Sequence, residues 1–444
     1  MSDTSSSSGL KQRKVKSPSS SPGVEEVDTK KKEQVPVPHV RKLRPPTLWQ
    51  RVKFLLKILL GVAIIAGGIT YYIESPINPE GFSLPTPPTL KGVLAPNTRL
   101  YDGVKILEGK IRGPECLVEY KGKIFTGTYD GAIMRITNES SLRSMGRLGT
   151  RPCGTPANEP SCGRPLGMRI YNGDIHVMDS YMGLFRLKHN GVIDWLLTSA
   201  RSYDQFPLKY GNDLEKMKGD NKDFFFIDSC KTWDHRQRDN ILWEAGGCGR
   251  LLWFNPVNNM SNIAIPKLYY PTGIQFSPDE NFMLISEATR FRILKYYFQG
   301  PLSGGYQVFA KNLPGSPMKV RPSASGGYWV ALAHVGGRIG SSIPIIDFLY
   351  ERPWLRKIIT KYIDAETLTS WLPKYGMILE LDQQGQIIQS LHDPTGEVVS
   401  SASSVLDTGD ALYVGSADNN YIVKIGMEDR PLEKKTQTIE SKKA

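Results

Sequence analysis

Reactive side chains are thinly spread along this 444-residue sequence, and the cysteines are the first that demand an account. Cys153 and Cys162 flank a proline-rich loop, and a bridge closing so short a loop is geometrically easy. Cys230 follows the apolar run Phe224–Ser229 and Cys248 precedes the run Gly249–Phe254. If those runs pair antiparallel, the two cysteines face each other across the open end of a hairpin, which makes a second bridge. Cys116 is left over and is expected to be buried. Zinc is the alternative use for such residues, but no Cys-x-x-Cys or histidine spacing supports it. His176 falls within a β-like run and reads as structural. His334 follows another run and has no evident carboxylate partner. Asn138-Glu-Ser140 and Asn259-Met-Ser261 are glycan acceptor triplets in turn-like stretches, meaningful only where the topology exposes them to an oxidising, glycosylating lumen.

Composition is that of a globular protein, with 40% hydrophobic and 23% charged residues. The net charge of +12 suggests nucleic acid until it is located. Met1–Lys53 holds twelve Lys/Arg against five Asp/Glu, so +7 lies in that tail. Residues 427–444 form a second charged tail, and the body between is only mildly basic. A basic tail beside an apolar segment is a juxtamembrane patch, so no nucleic-acid partner is expected.

Residues 1–46 are Ser-, Lys- and Pro-rich and bury too little surface to offset ordering entropy; a disordered cytosolic tail is expected. Residues 54–73 form an apolar run of bilayer length, whose one charge, Lys57, can snorkel at the cytosolic end. Tyr71 and Tyr72 suit an interfacial belt. Arg41, Lys42, Arg44, Arg51 and Lys53 precede the run, and no Lys or Arg occurs from Glu74 to Leu90. The positive-inside rule therefore puts the N-terminus in the cytosol, as in a type II signal anchor. A cleaved signal peptide is the competing reading, given Ala66-Gly67-Gly68, but the n-region and the apolar run are both too long for it. Residues 74–98 read as a proline-rich spacer.

From Arg99 the pattern changes to paired β-like runs, six in all: 124–127 with 133–136, 175–179 with 184–187, 224–228 with 251–254, 282–286 with 293–296, 328–331 with 378–381, and 411–415 with 422–425. Each pair suits the inner and outer halves of one four-stranded propeller blade, at about 55 residues per blade. An all-β, six-bladed β-propeller over 99–426 is expected; β-sandwiches are the competing fold. Ile343–Trp371 splits the fifth pair with apolar residues at three- and four-residue steps, which predicts helices. Its aromatic and basic mixture suits a lid, a membrane-facing surface, or simple packing on the propeller face.

Several stretches resemble signatures of the strictosidine-synthase-like propellers: Gly113-Pro-Glu115, Tyr129-Asp-Gly131, Cys162-Gly-Arg-Pro-Leu-Gly167, Gly211-Asn-Asp-Leu214 and Gly249-Arg-Leu-Leu252. Phe276-Ser-Pro-Asp279, Glu287-Ala-Thr-Arg-Phe-Arg-Ile293, Leu313-Pro-Gly315 and Gly326-Gly-Tyr-Trp-Val330 are similar to them as well. Pro322–Trp329, Asp347–Trp354, Leu391–Pro394 and the N-terminal anchor resemble a membrane-bound branch of that family. The resemblance runs from about Phe54 to Ile425. It implies a funnel at one end of a central channel, a Cys153–Cys162 bridge, and kinship with paraoxonases and gluconolactonases, which use a channel-bound Ca²⁺ for ester and lactone hydrolysis.

By the same resemblance Ser403 stands where strictosidine synthase has its catalytic glutamate. A hydroxyl cannot shuttle protons at neutral pH as a carboxylate does, so alkaloid condensation is not expected. Glu115 and Asn212 keep oxygen at two calcium-ligand positions, whereas Thr272, Met318 and Lys319 replace the usual ligands. An ammonium at such a position repels Ca²⁺ and can pair with Glu115 instead; at about 4 Å that is worth about 4 kcal/mol before desolvation. Ca²⁺ is therefore disfavoured. The paraoxonase histidine dyad is replaced by Leu166 and Ser180. Two functions follow as expectations. One is a weak arylesterase or lactonase using Glu115, Asn212 and Lys319 with Asp213 behind them. The other is a non-catalytic binding propeller for a small molecule or a protein, at the plasma membrane or endoplasmic reticulum.

Overall fold

The computed structural model describes residues 47–218, 222–339 and 342–427. The basic tail expected over 1–46, and the charged tail from 428 on, lie outside them.

Helix α1 (Leu48–Tyr72) has 25 residues, none buried. At 1.5 Å per residue it is about 37 Å long, more than the roughly 30 Å of a bilayer core. Its outward leucines and isoleucines, Leu55, Leu59, Ile64 and Ile65 among them, are all exposed. It is a candidate membrane span.

Beyond it, six four-stranded antiparallel meanders follow one another. Their first strands are Leu117–Tyr120, Pro165–Tyr171, Gly211–Lys216, Pro271–Phe276, Ser316–Pro322 and Ser404–Asp407. Each first strand packs beside the next, and the last beside the first, which closes a six-bladed β-propeller around an axis. The sixth blade takes its outermost strand from far upstream: Val104–Ile106 pairs antiparallel with Ile422–Gly426. This joins segments from both ends of the propeller in one blade and so locks the ring closed.

The six sequence pairs are the second and third strands of their blades, not inner and outer halves. The physical reason is burial. Second strands such as Phe224–Asp228 and Tyr328–Ala333 are covered on both faces by neighbouring blades, so every residue in them is buried and they read as continuous apolar runs. First strands such as Gly211–Lys216 carry polar residues toward the axis and lose that signal.

The fifth blade is interrupted between Tyr328–Ala333 and Gly376–Leu381 by helices, as the sequence predicts. In chain order the remaining helices are α2 (Glu159–Cys162), α3 (Arg238–Glu244), α4 (Gly336–Ile339), α5 (Ile345–Tyr350), α6 (Pro353–Ile359) and α7 (Ala365–Ser370). Pro353 opens α6, where its missing N–H costs nothing, and the Asp364 carboxylate caps α7 by accepting from Thr367 N at 2.7 Å.

The expected spacer is not free-standing. Ile77 is 3% exposed, in one cluster with Trp243, Phe291 and Tyr350. Glu80 N donates to Glu244 O at 2.9 Å and Phe82 N to Tyr350 O at 3.2 Å. Prolines here leave carbonyls that no local N–H can satisfy, and the propeller supplies donors. Arg338 reaches Pro85 O, Asn312 reaches Thr86 O, and Ser390 reaches Val93 O. The segment is a strap bound to the body.

Candidate functional site

Four first strands shift register near the axis: between Pro165 and Gly167, Gly211 and Leu214, Pro271 and Gly273, and Pro317 and Val320. A bulge re-aims the side chains it contains. The residues inside these are Leu166, Asn212 with Asp213, Thr272, and Met318 with Lys319. Gly273 follows its bulge because a Cβ there would come within 2.7 Å of Lys319 Cα.

The bulges bring Asn212, Thr272 and Lys319 together with Glu115, which lies just before the strand Leu117–Tyr120. Lys319 Nζ lies 2.7 Å from Asn212 Oδ1, 3.3 Å from Glu115 Oε1 and 3.5 Å from the Thr272 carbonyl. Lys319 is 1% exposed. An ammonium has three N–H donors, and these three acceptors use them all. The Thr272 hydroxyl instead donates to Pro317 O at 2.8 Å. Arg164, fully buried, is a second cation on the same carboxylate, with Nη2 3.5 Å from Glu115 Oε2.

Asp213 does not join this group by hydrogen bonds. It accepts from Arg169 at 3.2 Å and from Arg321 at 3.0 Å, and receives Ile274 N at 3.1 Å. Burial alone would raise its carboxyl, but the two guanidiniums hold it down at about 2. Its work is to tie its own first strand to three others. His176 is likewise structural, flanked by the Tyr171 and Phe224 rings.

Above the axis opens a cavity of about 280 Å³, reached by Glu115, Met318 and Ser403 from below. Ser403 Oγ accepts from Ala417 N at 2.9 Å. His235, Arg238 and His334 stand in the wall. Outside the lining, and announced by no spaced motif, Glu159 backs one of these residues: its Oε1 is 2.5 Å from His235 Nδ1, both side chains nearly fully buried. Burial would raise Glu159, but the bond to His235, the Arg164 charge and the Tyr181 hydroxyl hold it below the ordinary range. Arg238 Nη1, a donor only, lies 3.5 Å from His235 Nε2. Nε2 is therefore the acceptor and Nδ1 carries the proton to Glu159. Arg238 also reaches Asp418 at 2.5 Å. His334, lining the same cavity, holds φ at 53° and meets Ser316 Oγ at 3.2 Å; burial lowers its pKa.

Both members of the pair ride on disulfide-closed loops. Cys153–Cys162 encloses Glu159 and Cys230–Cys248 encloses His235. Cys116 is free and buried.

The strictosidine synthase family matches residues 215–301, and the strictosidine synthase-like N-terminal family residues 92–136. The adipocyte plasma membrane-associated protein of Mus musculus is 36% identical over 380 residues, covering 85% of this chain and 90% of its own. The chain belongs to the adipocyte plasma membrane-associated protein family, among the strictosidine-synthase-like propellers. The Homo sapiens member is 36% identical over 381 residues, covering 85% of this chain and 90% of its own. A gluconolactonase from Xanthomonas campestris superposes with a TM-score of 0.48 at 15% identity, covering 78% of this chain and 98% of its own.

The calcium raised by the sequence resemblance can be tested against the residues of this adipocyte plasma membrane-associated family member. The oxygens that would ligate it converge on the Lys319 ammonium, and a divalent cation there would meet that charge at bonding distance. These residues fit a lysine and do not fit calcium. No cluster of three or more His, Cys, Asp or Glu able to hold a metal occurs among the described residues.

Proposed function

We propose that this propeller hydrolyses small esters or lactones in the cavity above Lys319, without a metal. The observation that carries the reading is His235 in the cavity wall with Glu159 bonded to its Nδ1. A histidine whose Nδ1–H is held by a carboxylate presents Nε2 as a general base. In this scheme Nε2 takes a proton from water while the oxygen attacks the substrate carbonyl. The C–O bond to the alcohol then breaks, and the leaving oxygen collects the proton from His235. Arg238, beside Nε2, would bind the developing oxyanion.

A non-catalytic binding propeller is the second reading, favoured by Lys319, whose donors are all engaged before any ligand arrives. Phenyl acetate turnover by the purified full chain separates the two. The hydrolase reading expects His235→Ala to lose most activity and Glu159→Gln to lose part of it with a shifted pH profile. Absence of turnover, or turnover indifferent to both substitutions, leaves binding as the function.

The same proposal places the propeller outside the cytosol as a type II membrane glycoprotein of the plasma membrane or endoplasmic reticulum. Two disulfides support an oxidising compartment. Asn138 and Asn259 are exposed and suited to glycans. Loss of mass on glycosidase treatment, abolished by Asn138→Gln with Asn259→Gln, is the expected result; an unchanged mass overturns the lumenal placement.

A further inference from the structure

We infer that the helical insertion of the fifth blade rests in the headgroup layer of the membrane, so that the cavity receives amphiphilic esters directly from the lipid. The inference rests on α1 as a bilayer span, and three observations support it.

The first is reach. Only three peptide steps separate Tyr72, the end of α1, from Ser75, at most about 11 Å of chain. Ser75 Oγ is already 3.2 Å from Thr360 Oγ1, the residue that ends α6. Two residues on, Ile77 is buried in a cluster with Ile346, Leu349 and Leu368 of α5 and α7. Wherever the chain leaves the hydrocarbon, these helices are tethered beside that point. A longer free spacer would have allowed the body to float clear; this strap does not.

The second is the surface the helices present. Trp354 is 61%, Tyr362 57%, Trp371 62% and Ile358 39% exposed, on the short stretch from α6 to just past α7. Large apolar and indole side chains so concentrated are costly against water and are favoured at a bilayer interface, where one end of the ring is wet and the other dry. Lys357 is exposed among them and suits phosphate oxygens, whereas Lys361 Nζ is taken by Thr70 O at 2.7 Å, and Asp364 and Glu366 keep the charge mixed. Aromatic anchoring, not electrostatics, is therefore the main attraction.

The third is continuity with the cavity. Glu366, Thr369, Ser370 and Leu372 line its mouth, and Trp371 projects from between the last two. A membrane holding Trp371 holds one lip of the cavity. Substrates that partition into lipid, such as acyl esters or hydrophobic lactones, then enter without crossing bulk water.

Nitroxide labels read the prediction on the full chain in phosphatidylcholine–phosphatidylserine nanodiscs, with Trp354→Cys, Trp371→Cys, Ile65→Cys and Val257→Cys as separate variants; Val257 is 71% exposed on a turn of the third blade. The ratio of oxygen to nickel-chelate collision should rise several-fold at 354 and 371 over 257, and persist at high salt. A ratio at 354 and 371 equal to that at 257 overturns the docking. Protection from both reagents at 354 and 371 also overturns it, because that is burial against protein. Position 65 separates the two readings: lipid exposure there with aqueous 354 and 371 sinks only the docking, and an aqueous 65 sinks the anchor as well.

Discussion

Lys319 Nζ and Asn212 Oδ1, from first strands two blades apart, meet at 2.7 Å on the propeller axis. The strands that carry them are joined through this contact and through Glu115 as much as through the intervening sheet. Truncating Lys319 to Met strands a buried amide and leaves Glu115 with Arg164 alone. Loss of one member of a buried pair costs about 3–5 kcal/mol, and Arg164 should hold the cost of Lys319→Met near the lower figure. Urea unfolding measures it. Calorimetric titration of the wild type with micromolar Ca²⁺ should give no heat.

Arg356 is fully buried and donates to backbone carbonyls of Leu349, Trp243, Glu244 and Tyr350, and to Glu80 O of the strap at 2.6 Å. Burial lowers its pKa to about 10. Arg356→Met leaves these acceptors orphaned. At about 1–3 kcal/mol for each buried unsatisfied group, partly relieved by water, a loss on the order of 3–5 kcal/mol is expected. Protease cleavage near residue 80 should accelerate at the same time.

The Cys230–Cys248 bridge closes a span of 18 residues that includes α3 and His235. Chain entropy gives such a bridge about 3 kcal/mol. Replacing both cysteines by Ala should lower the unfolding midpoint. Turnover should fall further than stability accounts for, because His235 and Arg238 lose their fixed positions. Equal losses in both would mean the loop is only structural.

Acid should weaken the fold through His176. Burial, with Lys216 and Arg186 nearby and Asp174 opposing, lowers its pKa from 6.5 to about 4. Between those values the unfolded chain takes up a proton that the folded one refuses. Its contribution is thus intact above about 6.5 and falls away toward 4, by up to about 3 kcal/mol. His392, also lowered to about 4, acts in the same direction. Asp179, raised to about 6 by burial, acts in the opposite one, favouring the folded state as pH falls from 6. Comparing wild type with His176→Phe isolates the first: the variant's stability should fall less between pH 6.5 and 4.

The blades were legible because their second strands are largely dry on both faces and their residues say so. Phe224-Phe-Phe-Ile-Asp228 needs no partner to be recognised as a covered strand. The strands that build the site were not legible, since Gly211-Asn-Asp-Leu214 or Pro271-Thr-Gly273 spends its side chains on an axis that exists only once the ring is closed. The gathering of Glu115, Asn212, Thr272 and Lys319 was foreseen through resemblance to a family. Glu159 and His235 were missed for a plainer reason: 76 residues separate them and neither belongs to a spaced motif. The one available signal was their position inside the two cysteine-bounded loops. The spacer was misread because proline content speaks of stiffness and says nothing of which donors the body offers to its carbonyls.

Ribosomes make this protein from the N-terminus onward, and that order matters for the sixth blade. Val104–Ile106 emerges early, yet its partner Ile422–Gly426 is among the last segments made. For most of synthesis a growing chain therefore exposes an unmatched ribbon, open to adventitious pairing. Truncation anywhere before residue 422 yields not a smaller propeller but an unsealed one, and quality control should remove it.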